Sequence, residues 1–227
     1  MTEHTPGEPP RRRPGLRLAT IVVSLVLVLG AAGFVAWEFW GTAVVARAKA
    51  QERAAELRAR WDFTTPQERS QVPRLVVNPG SGEPQWLMRI PELWGEDTWP
   101  VVVGVAADDL TGGIGWYPGT AQPGQPGNFG VTGYCLTRGE PFRQLRELPV
   151  GAEVIVETAD ATFTYELMSS AASLTVQQDD SWVLDPVPGR PDETPSQALM
   201  TLTTCEDLYP TSERSVAFGV LKTTELK

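Results

Sequence analysis

Cys205 and Arg214 are the residues whose types and spacing first suggest chemistry. The segment "ALMTLTT" before Cys205 is apolar and rich in threonine, which predicts a buried strand, and Arg214 follows nine residues later at the start of the next predicted strand. In a hairpin these two ends meet. A guanidinium there would stabilise the thiolate and could hold the oxyanion of a tetrahedral intermediate. The spacing therefore predicts a nucleophile with an electrophilic helper, and it fits a buried structural cysteine with a surface arginine equally well.

The elements around this pair are mostly short β-strands. Apolar segments that alternate with polar residues or are rich in Val and Thr are separated by Gly, Pro, Asp and Asn. Seven strands are predicted in this way, at residues 86–90, 101–105, 128–132, 154–156, 162–168, 198–204 and 215–221. One short helix is predicted at Glu140–Leu148, because Pro141 suits its first position and a Pro-Val-Gly run follows it. The fold class is therefore mostly β, a closed or nearly closed β structure.

A membrane span is predicted before this domain. The twenty residues Leu18–Trp37 are apolar apart from Ser24, which is long enough to cross a hydrocarbon core of about 30 Å. With Phe39 and Trp40 as interfacial anchors, we place a single transmembrane helix at residues 18–40. The arginine-rich residues 1–17 are predicted to be a basic cytoplasmic tail, because a positive cluster next to a span stays inside. The protein is thus expected in the plasma membrane, with everything after Trp40 outside.

The outer part divides into three segments. Residues 41–60 are rich in Ala, Glu and Arg without proline, which predicts a helical stalk. Residues 61–85 contain prolines 66, 73, 79 and 84 and are predicted to be a linker. Residues 86–227 are then the extracellular domain, large enough for one core.

Charge limits the partners of this outer part. Residues 1–60 hold 9 of the 19 basic and 5 of the 28 acidic residues, which leaves 10 basic and 23 acidic residues, a net charge of −13, for residues 61–227. Such a surface repels phosphate backbones, so nucleic acid is not expected as a partner. Acidic pairs such as Asp108-Asp109 lack the ligand spacing of a calcium loop, and we expect no metal site and no cofactor.

Several motifs together resemble one family. The segments "VVVGVAADDL", "YPGTAQPGQPGNFGVTG", "WVLDPVPG" and "TLTTC" followed by Arg214 occur in this order. They are similar to those of the sortases, most like the class E sortases of actinobacteria, over roughly residues 86–222. The resemblance implies an eight-stranded sortase β-barrel with short helices behind an N-terminal span.

The resemblance also implies an activity, that of a cysteine transpeptidase. Its cysteine attacks the Thr-Gly carbonyl of a C-terminal sorting signal on a surface protein. The acyl group then passes to an amine on a cell-wall precursor or a pilin. Class E members are expected to favour Leu-Ala-x-Thr-Gly over Leu-Pro-x-Thr-Gly.

Four site residues follow from the resemblance. Cys205 matches the nucleophile, Arg214 the oxyanion-stabilising arginine, and Thr204 a residue that lines the substrate site. The third catalytic position differs, because family members read "GNFAVAGHR" where this chain reads "GNFGVTGYC". Tyr134 therefore stands at the histidine position, and the only histidine in the chain is His4.

Loss of the histidine is expected to weaken catalysis. General acid–base catalysis is worth roughly 10² to 10⁴ in rate. A phenol, with an unperturbed pKa of about 10, can protonate a leaving amine but is a poor base toward a thiol with a pKa of about 8.5. Two hypotheses follow: a weakened transpeptidase, or a catalytically silent domain that binds sorting signals or assembly partners.

Cys135 allows a disulfide with Cys205, since the outer face of a membrane is oxidising and the cysteine count is even. We expect two free thiols instead. If Tyr134 faces Cys205 on an extended strand, the next residue points the other way.

Overall fold

The computed structural model describes residues 14–37, 41–62, 73–205 and 211–227. Its helices are α1 (Pro14–Ala36), α2 (Thr42–Asp62) and the short α3 (Pro91–Trp94). The strands are β1 (Pro84–Arg89), β2 (Trp99–Val103), β3 (Ile114–Trp116), β4 (Gly127–Thr132), β5 (Glu153–Glu157), β6 (Ala161–Leu167), β7 (Thr175–Gln177), β8 (Ala198–Cys205) and β9 (Glu213–Leu226). Short 3-10 helices lie at Leu145–Glu147, Ala171–Ser173 and Ser181–Leu184.

The chain divides into two units, residues 1–40 and residues 41–227. Helix α1, in the first unit, is built from Leu, Val and Ala, and its large side chains from Ile21 to Leu29 are exposed. Among the described residues, no helix is long and apolar enough to cross a membrane. The predicted span at residues 18–40 also includes residues 38–40, which lie outside the described residues.

The second unit contains a closed barrel of eight strands. Neighbouring strands follow the order β6-β5-β1-β2-β3-β4-β8-β9, and β9 pairs back onto β6 from Ala161↔Leu226 to Leu167↔Gly219. The pairs β2–β3 and β4–β8 are parallel, and the other barrel pairs are antiparallel. This confirms the mostly β fold and the eight-stranded barrel expected from the sequence. Among the described strands, the additional strand β7 pairs only with the start of β9.

Helix α2 packs along the barrel. Its residues Ala46, Ala50, Ala54 and Leu57 are buried, and Ala54 and Leu57 cluster with Leu87 of β1. Helix α2 also contacts β2, which explains why β2 is buried on both faces instead of alternating. The segment predicted as a stalk is thus part of the folded unit that begins at residue 41. The sequence did not show this contact, because alanines at helical spacing suit either a packed or a solvated helix.

Two close contacts fix α2 on the barrel. Arg53 of α2 donates from Nη1 to the carbonyl of Thr111 over 3.1 Å, and burial lowers the pKa of this guanidinium. Gly112 has a φ of +75°, and a β-carbon there would lie 2.8 Å from the carbonyl oxygen of Ala46. The turn at residues 111–112 therefore requires glycine for α2 to approach.

The segment Ser181–Asp185 lies over β4 and β8 of the barrel. Asn128 of β4 donates from Nδ2 to the carbonyls of Val183 (2.9 Å) and Asp185 (3.0 Å). The Thr201 hydroxyl of β8 also lies within hydrogen-bond distance of the Val183 carbonyl, at 2.9 Å. These contacts pair the buried Asn128 and Thr201 side chains with the segment and hold it on the two strands.

Candidate active site

The candidate site lies where β8 ends and β9 begins. Cys205 and Arg214 are paired residues in the antiparallel β8–β9 register, after six further pairs from Leu199↔Val220 to Thr204↔Ser215. The predicted hairpin therefore brings the two residues together. Residues 206–210 between them lie outside the described residues.

The Arg214 guanidinium is held by three oxygen atoms. Its Nη1 donates to the carbonyls of Thr211 and Glu213, each over 2.8 Å, and its Nη2 donates to Oε1 of Gln178 over 2.5 Å. Gln178 follows β7, which pairs with the start of β9. This role of Gln178 could not be predicted from the sequence, because β7 is too short for its pairing to be predicted.

Cys135 and Cys205, which are 70 positions apart in sequence, form a disulfide, with their Cα atoms 5.9 Å apart. The expectation of two free thiols was wrong. It assumed that an extended strand continues through Cys135, but β4 ends at Thr132 and the chain bends at Cys135–Thr137. Strand alternation therefore does not apply at Cys135, and its side chain reaches Cys205.

Tyr134 lies immediately before the bend and is partly buried. The guanidinium carbon of Arg138 lies 5.2 Å from the centroid of the Tyr134 ring, a cation–π contact. Arg138 is itself fixed, because its Nη1 donates to the carbonyl of Ala107 over 2.7 Å and to Oγ1 of Thr111 over 3.2 Å. Arg138 is a residue of this region that the sequence did not single out.

Thr204 is buried, and its hydroxyl donates to the carbonyl of Gly133 over 3.0 Å. One residue earlier, the Thr203 carbonyl accepts from the amide of Gly133 over 3.2 Å. These bonds extend the parallel β4–β8 contact beyond Thr132. Thr204 thus links the end of β8 to the chain before Tyr134, and its role toward substrate stays a prediction.

Two cavities lie elsewhere on the domain, and neither is lined by Cys205 or Arg214. One, of about 600 Å³, lies between α2 and the loops at residues 93–99 and 139–144. The other, of about 320 Å³, lies beside the start of β4 and is bordered by Leu184, Pro186 and Pro195. Among the described residues, no group of three or more His, Cys, Asp or Glu residues could hold a metal ion.

The chemistry of the site depends on the oxidation state of Cys205. In the disulfide, Cys205 has no thiolate and cannot attack a carbonyl. After reduction, the site would offer a thiol opposite a fixed guanidinium, with a phenol on the neighbouring segment. That set of groups suits acyl transfer through a thioester.

The barrel and this pair of residues define a class of protein. Residues 88–222 match the sortase domain family, and the chain therefore belongs to the sortases. The similarities support class E within that family.

The chain is 34% identical to sortase SrtE1 of Streptomyces coelicolor over 196 residues, which is 82% of this chain and 51% of that protein. It thus spans about half the length of this relative. The solved structure of sortase E from Streptomyces avermitilis is 33% identical, with a TM-score of 0.58 over 65% of this chain and 93% of that one. Sortase E1 of S. coelicolor with a tripeptide in its active site is 29% identical, with a TM-score of 0.56 over 64% and 91% of the two chains.

Proposed function

We propose that the protein is a sortase-type cysteine transpeptidase whose nucleophile is Cys205 in the reduced chain. The observation that carries the proposal is the pairing of Cys205 with Arg214, where β8 ends and β9 begins in a sortase barrel. The substrate is a surface protein with a C-terminal sorting signal of the Leu-Ala-x-Thr-Gly or Leu-Pro-x-Thr-Gly type. The acceptor is an amine on a cell-wall precursor or a pilin. Solved sortase E1 holds a tripeptide in its active site, which supports a peptide substrate.

The reaction has two acyl-transfer steps. The Cys205 thiolate attacks the Thr-Gly carbonyl, and Arg214 turns from its present oxygen partners to stabilise the oxyanion. The C–N bond then breaks, the glycine amine leaves with a proton, and a thioester remains on Cys205. An incoming amine loses a proton, attacks the thioester carbonyl and releases the Cys205 thiolate.

Tyr134 limits the acid–base catalysis of this reaction. The leaving amine needs an acid and the incoming amine needs a base, and a phenol serves the first role better than the second. We therefore propose a weakened enzyme, in which aminolysis of the thioester is slow.

The second candidate function is a catalytically silent sortase domain that binds sorting-signal peptides or assembly partners. Two features favour it: the tyrosine at the histidine position, and the disulfide that occupies Cys205. The two functions differ in whether a thioester at Cys205 forms and turns over.

A peptide assay tests both functions. The purified full chain, kept reduced, is incubated with a fluorogenic Leu-Ala-x-Thr-Gly peptide and triglycine, beside Cys205→Ala. Cleavage by the native chain that disappears in Cys205→Ala supports the transpeptidase. Binding of the peptide without cleavage or thioester, seen by fluorescence anisotropy and intact mass, rejects the transpeptidase and supports the silent domain.

We also propose that the chain is anchored in the plasma membrane by residues 18–40, with its N-terminus cytoplasmic and residues 41–227 outside. The apolar composition of the segment and the arginines before it support this. Fractionation tests the anchoring: the chain should stay in the membrane pellet after a carbonate wash, and release by the wash would contradict it.

A further inference from the structure

The disulfide joins the candidate nucleophile to a cysteine that the proposed reaction does not use. The chain has two cysteines, and both are in this bond. No thiol is therefore left for acyl transfer while the bond is intact. Any sortase activity requires that the bond first be opened.

The bond is not needed to bring its two ends together. Strands β4 and β8 pair in parallel through six residues, from Gly127↔Ala198 to Thr132↔Thr203. The amide of Gly133 and the hydroxyl of Thr204 add hydrogen bonds beyond the last pair. The barrel is closed elsewhere, by β6 and β9. Opening the bond should therefore leave the barrel folded.

The two half-cystines differ in access. Cys135 is only 8% exposed, whereas Cys205 is partly exposed at the end of β8. An attacking thiolate needs access to a sulfur atom. It should therefore reach Cys205, and Cys135 should leave.

Arg214 assists the second half of the exchange. It lies opposite Cys205 in the β8–β9 register. A cation beside a thiolate lowers its pKa, and a thiol of lower pKa leaves faster. With its guanidinium turned from Thr211, Glu213 and Gln178 toward Cys205, Arg214 should make Cys205 a good leaving group from a mixed disulfide.

We infer that the Cys135–Cys205 bond is a thiol–disulfide exchange site for a dithiol protein, and that this exchange releases the nucleophile; the second part rests on the proposed function. One thiolate of the partner attacks Cys205, which forms an intermolecular disulfide and releases the Cys135 thiolate. The second thiol of the partner, as its thiolate, then attacks the partner's first sulfur, which is bonded to Cys205, and releases the Cys205 thiolate. The partner ends as a disulfide, and both cysteines of the sortase domain are reduced after protonation.

The first test counts thiols in the purified, unreduced full chain by iodoacetamide labelling and intact mass. We expect no labelled thiol before treatment and two after dithiothreitol, with an unchanged far-ultraviolet circular dichroism spectrum. Two labelled thiols before treatment would overturn the inference. Reduction that occurs only in denaturant would also overturn it.

The second test locates the attack. Thioredoxin with its second active-site cysteine replaced by serine serves as the dithiol-protein probe, because it traps the mixed disulfide. Peptide mapping should find the trapped bond at Cys205, and a bond at Cys135 or no trapped species would overturn the inference. As a matched pair, the thiol that remains in Cys135→Ser, that of Cys205, should be labelled faster than the thiol that remains in Cys205→Ser, that of Cys135. Equal labelling rates would contradict the difference in access.

These readouts do not depend on peptide turnover. If the thiols behave as expected but neither the reduced chain nor Cys135→Ser forms a thioester with the peptide, the exchange site stands and the proposed function fails. If Cys135→Ser forms the thioester without reductant while the native chain needs dithiothreitol, both the exchange site and the proposed transpeptidase function are supported.

Discussion

Arg214 lies opposite Cys205 in the strand register, but its guanidinium donates to Thr211, Glu213 and Gln178. These bonds fix the start of β9 against the residue after β7. They also hold the guanidinium toward the residue after β7, so it has to turn toward the end of β8 to reach a forming oxyanion.

The first prediction concerns Arg214. In the reduced chain, Arg214→Ala should slow thioester formation about 10² to 10³-fold, because an oxyanion donor is lost. Intact mass after single turnover measures this rate, and circular dichroism checks the fold. Arg143→Ala is the matched control, since Arg143 is 65% exposed and pairs only with Glu140 among the described ion pairs. An unchanged rate in Arg214→Ala would contradict the role of this residue.

The second prediction concerns Tyr134. Tyr134→His should raise aminolysis of the thioester by about 10² or more, because an imidazole serves as both acid and base near neutral pH. The measurement is the rate of triglycine transfer in the reduced chain. Tyr134→Phe is the control and should change the rate little. A loss in Tyr134→Phe as large as the gain in Tyr134→His would mean that the phenol already performs the proton transfer.

The third prediction concerns the stability that the disulfide adds. The bond closes a loop across 70 residues, which is worth about 4 kcal/mol by the chain-entropy model. Reduction should lower the free energy of unfolding by about this amount in urea titrations. Cys135→Ser, which has no such bond, should unfold at the same urea concentration with and without dithiothreitol. A native chain that is insensitive to dithiothreitol would contradict the prediction.

The fourth prediction concerns Tyr165 in the barrel core. Its side chain is fully buried, its hydroxyl oxygen accepts from the amide of Gly124 over 2.8 Å, and burial raises the pKa of the phenol above its ordinary value of 10.0. The folded chain holds the phenol proton more tightly than the unfolded chain does. The contribution of Tyr165 to the free energy of unfolding is therefore complete below about pH 10 and is lost as the pH rises further.

Thermal unfolding of native chain and Tyr165→Phe tests this. Near neutral pH, Tyr165→Phe should be less stable by about 1 to 3 kcal/mol, because the Gly124 amide loses its partner. Above pH 10 the difference should shrink. A difference that stays constant up to pH 11 would contradict the assignment of this titration to Tyr165.

The fifth prediction concerns helix α2. Leu57 is 3% exposed against Leu87, so Leu57→Ala should destabilise the barrel by about 2 to 5 kcal/mol. Urea unfolding of the reduced chain measures this. Glu52→Ala on the exposed face should change stability by less than about 0.5 kcal/mol. If Leu57→Ala had no effect, α2 would not be part of the cooperative unit.

Strands were predicted correctly where the alternation of apolar and polar residues extended over enough positions to show a period. All seven strands predicted from Val- and Thr-rich segments are present, with ends shifted by a few residues. Strands β3 and β7 were missed because each has three residues, too few to show a period. The predicted helix at Glu140–Leu148 is a series of turns followed by the 3-10 helix Leu145–Glu147. Arg138 and Glu140 have φ values of +57° and +52°, which a helix does not allow.

The sequence by itself determined the barrel, the family and the meeting of Cys205 with Arg214, because these depend on local periodicity and on motifs within short stretches. Tertiary structure alone decided three things: the packing of α2, the oxygen partners of Arg214 and the bond between Cys135 and Cys205. The last depends on where β4 ends. A strand that continued to Cys135 would point that side chain away. Because β4 ends at Thr132 and the chain bends from Cys135, the side chain instead meets a residue 70 positions later in the chain.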